Sequence, residues 1–207
     1  MVYIVPFDPR DLDKTIRCIS RSFTKETMSQ ALGIDANSYI LLADEICGQR
    51  SIQYQLSLVA KYEESGDVIG FSVLKDFLAG TPNLDQVDPR FIPIGNLLYE
   101  LEKWYHSKYT VKYGEILHLF MLGVDEKYWG KGIAHQLMEE TFNVAKNKGY
   151  TSIIAEGTGA ITQHICAKYG FNVLKEIEYK TFLDNGELVF KEIKEPPSCQ
   201  LMLKTFD

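Results

Sequence analysis

The chain has 207 residues, 45% apolar and 24% charged, with a net charge of -6. That composition fills one hydrophobic core without metal or disulfide staples and predicts a single domain over residues 1–207. An acidic chain with no basic stripe argues against DNA or RNA as a partner and suits a small cationic ligand better. The four cysteines, Cys18, Cys47, Cys166 and Cys199, fit neither zinc-ligand nor CxxC spacing, so no metal is expected. No run approaches the ~20 apolar residues of a membrane span. The opening MVYIVPFDPRD lacks the basic region of a secretory signal. A cytoplasmic location with no membrane partner is therefore expected.

Val2 to Phe7 is a short β-prone run. Asp8 then caps a helix with Pro9 at its first position, and Leu12, Ile16, Ile19 and Phe23 recur at helical spacing. Met28 to Cys47 reads as a second helical region, interrupted near Gly33 and Asn37. Gln55 to Ala60, with Leu56, Leu58 and Ala60 on one face, pairs as a hairpin with Val68 to Leu74. Residues 80–90 (GTPNLDQVDPR) are loop. From Ile94, the positions Leu97, Leu98, Leu101, Trp104 and Tyr105 predict an amphipathic helix.

Ile116 to Val124 is an almost unbroken apolar run, as in a strand buried on both faces. A helix follows from about Gly132 to Lys148, closed by Gly149. Thr151 to Ala155 is a strand, and Ala160 to Lys168 a helix ending at Gly170. Phe171 to Phe182 is a strand, Asp184-Asn185-Gly186 a turn, and Gln200 to Phe206 the last strand. The alternation in this second half implies a partly parallel sheet covered by helices, an α/β (α+β) fold.

The segment Val124-Asp125-Glu126-Lys127-Tyr128-Trp129-Gly130-Lys131-Gly132-Ile133-Ala134 joins the buried strand to a helix. Two glycines let backbone approach a ligand closely, and a helix start offers unpaired N–H groups and a positive dipole end. Together they suit a pyrophosphate. Lys131 either reaches a phosphate or faces solvent. The spacing is not a Walker A loop, and the position after Gly132 that a dinucleotide fingerprint reserves for a third glycine holds another residue. Without a ligand, the same segment would be a tight strand-to-helix connection.

This segment resembles motif A of the GCN5-related N-acetyltransferase (GNAT) superfamily, [QR]-x-x-G-x-[GA], with Trp129 standing at the Gln/Arg position. Ile165-Cys166-Ala167-Lys168-Tyr169-Gly170-Phe171 resembles the superfamily's L-Y-x-K-x-G-F motif downstream. A narrower resemblance, to insect-type arylalkylamine (dopamine) N-acetyltransferases, covers most of the chain. It rests on Phe23-Thr24-Lys25-Glu26-Thr27-Met28 against F-x-x-[DE]-E-P-[LM], and on Gly186-Glu187-Leu188-Val189-Phe190 with Gln200-Leu201-Met202 against G-E-x-V-F … Q-x-M. Thr27 replaces the family proline.

The resemblance implies a GNAT fold: a single mixed, mostly antiparallel sheet with a parallel central pair, flanked by helices. It implies acetyl-CoA as co-substrate, its pyrophosphate on Trp129, Gly130, Lys131, Gly132, Ile133 and Ala134, with Lys168 of the second motif alongside. Its pantetheine would insert where the central strand splays from the next, and backbone near Leu122, Gly123 and Val124 would hold the oxyanion. A small primary amine, probed first as an arylalkylamine, would be the acceptor, with the protein a monomer or homodimer.

A free alkylamine has a pKa of about 10.4, so about one molecule in a thousand carries the lone pair needed for attack at neutral pH. The site must therefore take up a proton. Glu26 matches the family's base; otherwise it is a solvated glutamate at a helix end. His118 is a second candidate, since imidazole titrates near neutrality; its stretch His118-Leu119-Phe120 resembles the H-x-H strand of vertebrate serotonin acetyltransferases. A core histidine is the other reading. Thr158 and Thr162 match two site serines of the insect-type enzymes, or cap the following helix. Cys166 stands where many GNAT enzymes place a tyrosine that protonates the thiolate, although a packed helix cysteine fits it better. Phe7, Phe23, Phe120, Tyr179 and Phe182 line an amine pocket or belong to the core. Three functions remain: amine acetyltransferase, protein or peptide N-acetyltransferase, and a non-catalytic acyl-CoA-binding module.

Overall fold

The structure, a computed structural model, describes residues 1–80 and 85–206; the side chains of 48–50 and 52 also lie outside the described residues. In chain order the elements are β1 (Val2–Pro6), α1 (Leu12–Phe23), α2 (Thr27–Ala31), α3 (Ala36–Asp44), α4 (Ile52–Tyr54), β2 (Leu58–Tyr62) and β3 (Asp67–Asp76). There follow α5 (Ile92–Lys108), β4 (Ile116–Val124), α6 (Ile133–Asn147), β5 (Ser152–Gly157), α7 (Ala160–Lys168), β6 (Asn172–Glu178) and β7 (Ser198–Thr205).

The strands form one seven-stranded sheet in the order β1-β2-β3-β4-β5-β7-β6. Every neighbouring pair is antiparallel except β4 and β5, which run parallel at the centre. The period-two alternation of strand side chains divides the core. Leu58, Ala60, Leu117 and Ile153 face α6, whose Leu137 and Met138 are fully buried. Val59, Phe71 and Met121 face the other way, against Ile19 of α1 and Ala43 of α3. On that same side Ile116 and Ile154 pack under Leu97 and Leu101 of α5. Helices α1, α3 and α5 thus roof one face, and α6 and α7 cover the other.

Three expected boundaries move, each for a local reason. The helical region after Met28 breaks at 32–35, at Gly33 as expected but not near Asn37. Gly33 adopts φ +64°, and Asp35 caps α3 by accepting the N–H groups of Asn37 and Ser38, which places Asn37 inside the helix. Past Asp44 the chain continues through a π-helical turn, Glu45–Ser51, into α4, and Gln55 turns left-handed at φ +51°. Strand β2 therefore starts at Leu58 rather than Gln55. The strand expected over Phe171 to Phe182 stops at Glu178, because the N–H groups of Thr181 and Phe182 turn back to the Glu178 carbonyl. The turn at Asp184-Asn185-Gly186 forms as expected, with positive φ at Asn185 and Gly186 and reciprocal backbone bonds between Asp184 and Glu187. Of the expected loop 80–90, residues 81–84 lie outside the described residues.

Candidate active site

The central parallel pair does not stay paired. Its register runs from Ile116 opposite Ser152 to Leu119 opposite Ala155 and ends there, although β4 continues to Val124 and β5 to Gly157. On its other edge β4 holds β3 as far as Val124, with one extra residue, Phe120, between the pairs Leu119–Leu74 and Met121–Val73. Such a bulge bends a strand and raises its twist. The two strands part, and the backbone of β4 beyond Leu119 faces a gap instead of a ladder. Gly123 lies on this stretch against the Phe71 ring, where a Cβ would sit 2.4 Å from the ring.

At the end of β4, Asp125 accepts the Lys127 N–H and starts a 3-10 turn, Glu126–Tyr128. Its second carboxylate oxygen meets Arg21 Nε of α1 at 2.8 Å, which ties the loop to the first helix. Gly130 and Gly132 follow at φ +75° and +76°, the left-handed region that glycine enters freely. A Cβ at either would meet nothing within 4 Å, so backbone conformation, not crowding, calls for glycine here, and the loop stands open. Gly132 then starts α6, whose first-turn N–H groups at Ile133 and Ala134 have no intrahelical acceptor. This geometry fits a pyrophosphate on backbone amides. Trp129 plays a different part: its indole donates to the Val124 carbonyl at 2.8 Å and its amide to Glu126, so it braces the loop from within. Lys131 lies 5.0 Å from the Tyr128 ring centre. Lys168 sits in the last turn of α7, exposed.

A cavity of about 350 Å³ lies between α1, α3 and α5 and the parted strands. It gathers all four expected catalytic side chains, Glu26, His118, Thr158 and Thr162, and with them Leu122. Of the five aromatic candidates, Phe23 and Phe120 line it. Phe7, Tyr179 and Phe182 do not: they pack in the core, with Tyr179 donating its hydroxyl to the Thr158 carbonyl at 2.5 Å. Tyr39, Phe91 and Tyr99 supply aromatic wall that periodicity did not single out, and Lys75 and Glu102 add charge.

Glu26 is the N-cap of α2. Its Oε2 accepts the Ser29 N–H at 3.0 Å and the Ser29 hydroxyl at 3.2 Å, and that hydroxyl sits 2.5 Å from the Tyr39 hydroxyl. Its Oε1 is buried with no partner among the described residues. His118 is 4% exposed, and its Nε2 lies 2.6 Å from Glu156 Oε2. Burial pushes the Glu156 carboxyl up, but the charge and hydrogen bond of His118, helped by Lys75, outweigh it and hold the group below the usual carboxylate range.

A sequence model described as "Acetyltransferase (GNAT) family" matches residues 44–171, more than half of the chain. The chain belongs to the GNAT acetyltransferase family. It is an N-acetyltransferase of the acetyl-CoA-dependent kind.

Solved structures share the fold along the whole chain. The C-terminal condensation domain of Ebony, in complex with beta-alanyl-dopamine, is 21% identical with a TM-score of 0.90, over 100% of this chain and 99% of that one. Arylalkylamine N-acetyltransferase 2 from Aedes aegypti is 24% identical with a TM-score of 0.84, over 100% and 99%. A polyamine N-acetyltransferase of Drosophila melanogaster, which forms N-acetylagmatine, is 18% identical with a TM-score of 0.73, over 100% of both chains.

Within this GNAT fold Cys166 is fully buried in α7 and does not line the cavity; burial alone pushes its thiol up to about 12. It is a packing residue, as its surroundings on the helix suggested. The residue that sequence reading missed is Glu156. The signal lay in one ionisable residue inside each of two apolar strands: His118 pairs with Ile154, and Glu156, two positions on, shares the face of Ile154.

Proposed function

We propose that this chain acetylates a small primary amine, an arylalkylamine in class, by direct attack of the deprotonated amine on the acetyl-CoA thioester. One observation carries the reading: the cavity joins an aromatic wall (Phe23, Tyr39, Phe91, Tyr99, Phe120) to three carboxylates, Glu26, Glu102 and Glu156, against one lysine, Lys75, beside the gap between β4 and β5. An aromatic ring takes the apolar wall, and an ammonium group takes the acidic one.

Acetyl-CoA, when bound, supplies the electrophilic acetyl carbon. The glycine loop from Gly130 to Ala134, braced by Trp129, would hold its phosphates together with Lys168, and the edge of β4 that faces the gap at Leu122, Gly123 and Val124 would hold the acyl arm and the oxyanion. Either Glu26, through its unpartnered Oε1, or His118 receives the ammonium proton, and the Thr158 and Thr162 hydroxyls orient the amine. The aromatic amines in the names of the Ebony complex and the Aedes enzyme support the same class.

The test is thiol release from acetyl-CoA by the purified protein with tryptamine, dopamine, phenylethylamine, spermidine and a short peptide. Release with the aromatic amines alone is expected. Release with the peptide alone would make it a protein N-acetyltransferase. Acetyl-CoA binding without release from any amine would make it a non-catalytic acyl-CoA module.

A further inference from the structure

Two ionisable side chains, one from each strand of the central parallel pair, meet beside the cavity. His118 Nε2 and Glu156 Oε2 are 2.6 Å apart, with side chains 5% and 7% exposed. Strand register brings them together: His118 stands opposite Ile154 on β5, and the next residue on that face is Glu156. On the other side His118 stands opposite Lys75 of β3, so lysine and histidine face each other across one pair of strands, and the glutamate joins them diagonally from two residues along β5. Lys75 itself is engaged, with its ammonium donating to the Gly80 carbonyl at 2.6 Å and lying 5.0 Å from the Phe120 ring centre.

The ring nitrogens of His118 are therefore unequal. Nε2 faces a carboxylate, and Nδ1 is buried with no partner among the described residues. An ionised carboxylate only accepts hydrogen bonds, so beside it the neutral imidazole keeps its proton on Nε2. The lone pair is left on Nδ1, an atom covered from solvent, on a side chain that lines the cavity. The imidazole ring is fixed further by edge-on contacts with Phe77 and Phe120, at 5.6 and 5.5 Å.

We infer that Glu156 is a positioning residue that fixes the His118 tautomer and thereby makes Nδ1 the proton acceptor for the amine. The inference rests on the amine-acetylating reading above and adds a residue to it. The substrate ammonium gives one proton to Nδ1, and His118 becomes an imidazolium held by Glu156. The nitrogen lone pair forms the N–C bond to the acetyl carbon, and the C–S bond breaks. The second ammonium proton passes to the departing thiolate, and the proton on His118 leaves to solvent. One ammonium and one thioester give one amide, one thiol and one proton. A base turned by a carboxylate on its far nitrogen is a recurring arrangement in nucleophilic catalysis.

Other titratable groups line the same cavity or lie beside the pair. Lys75 comes from β3, Glu26 from the junction of α1 and α2, and Glu102 from α5, while Cys199 of β7 lies near Glu156. Glu156 opposes Lys75, so removing the carboxylate leaves His118 beside a lysine. The protonated ring then becomes less favourable.

The pair is tested in two ways. Nitrogen NMR of the wild-type protein reads the neutral tautomer of His118 without any substrate: a proton on Nε2 and a bare Nδ1 are expected, and a proton on Nδ1 would overturn the proposal. Glu156→Gln keeps the side-chain size but both donates and accepts, so the tautomer preference should be lost. With an amine that turns over, Glu156→Gln should lower kcat by at least about ten-fold. The KM for acetyl-CoA should change less than about two-fold, and the acid limb of kcat/KM should move to lower pH. Glu156→Asp should restore part of the rate. A Glu156→Gln protein with the wild-type pH profile and rate would also overturn it. If no amine is acetylated, the functional reading fails while the tautomer measurement still decides the pair.

Discussion

The glycine loop and the aromatic-walled cavity, both at the end of β4, are built in opposite ways. The loop is contiguous: Asp125 starts its turn, Trp129 braces it through the Val124 carbonyl, and two left-handed glycines deliver the chain to α6. Nearly all of its working groups are backbone. The cavity draws its wall from α1, α2, α3, α5, β3, β4, β5 and α7, and its working groups are side chains. Arg21 to Asp125 is one of the contacts that couple the two regions. A site made of backbone tolerates side-chain change outside its glycines, whereas a site made of side chains depends on the register of every strand beneath it.

The comparison breaks first at the cavity. His118→Ala or Glu26→Ala should lower turnover of the preferred amine by at least about ten-fold, the usual scale for loss of a proton acceptor, and leave acetyl-CoA affinity within a few-fold. Steady-state kinetics beside calorimetric binding of acetyl-CoA separates the two effects. Full activity in both variants would remove both side chains from the chemistry.

The opposite result is expected at the loop. Gly132→Val places a β-branched residue at φ +76°, which costs roughly 1–2 kcal/mol of backbone strain. Acetyl-CoA affinity should fall by about ten-fold for that strain, and the KM for the amine should hold. If both constants shift together, loop and cavity are not the separate devices described above.

Gly123→Ala sharpens the comparison between them, because its new Cβ would sit 2.4 Å from the Phe71 ring. Crowding of that kind costs about 1–3 kcal/mol, to be read as a lower denaturant midpoint. Unchanged stability would mean that Phe71 swings aside. The smallest effect concerns the cysteines. All four are buried, and burial raises the thiols of Cys18, Cys47 and Cys166 to about 12. At pH 8 they remain protonated and covered, so a disulfide thiol reagent should label none until the chain unfolds. Rapid labelling of Cys166 in the native protein would reopen a role for it beside the thiolate.

The two regions also differ in how they were readable. Gly130, Gly132 and the buried run before them mark the loop in the sequence, because a left-handed backbone and a helix start are local properties. Glu26 and the threonines came from resemblance to motifs and not from any chemistry visible in their neighbourhoods. Phe7, Tyr179 and Phe182 illustrate the limit: an aromatic residue has the same appearance in a chain whether it lines a pocket or fills a core. Tyr39, Phe91 and Tyr99 were invisible for the same reason.

By itself the sequence determined the strands and helices, to within a few residues at most ends, since hydrophobic period and capping residues act over one or two turns. It also determined where two left-handed glycines would lead the chain from a buried strand into a helix start. Only the tertiary structure decided that β4 and β5 part after Leu119 and Ala155, that the bulge falls at Phe120, and that Glu156 stands against His118. Pairing register is a relation between segments far apart in the chain, and a one-residue slip would turn each of these side chains to the opposite face of the sheet.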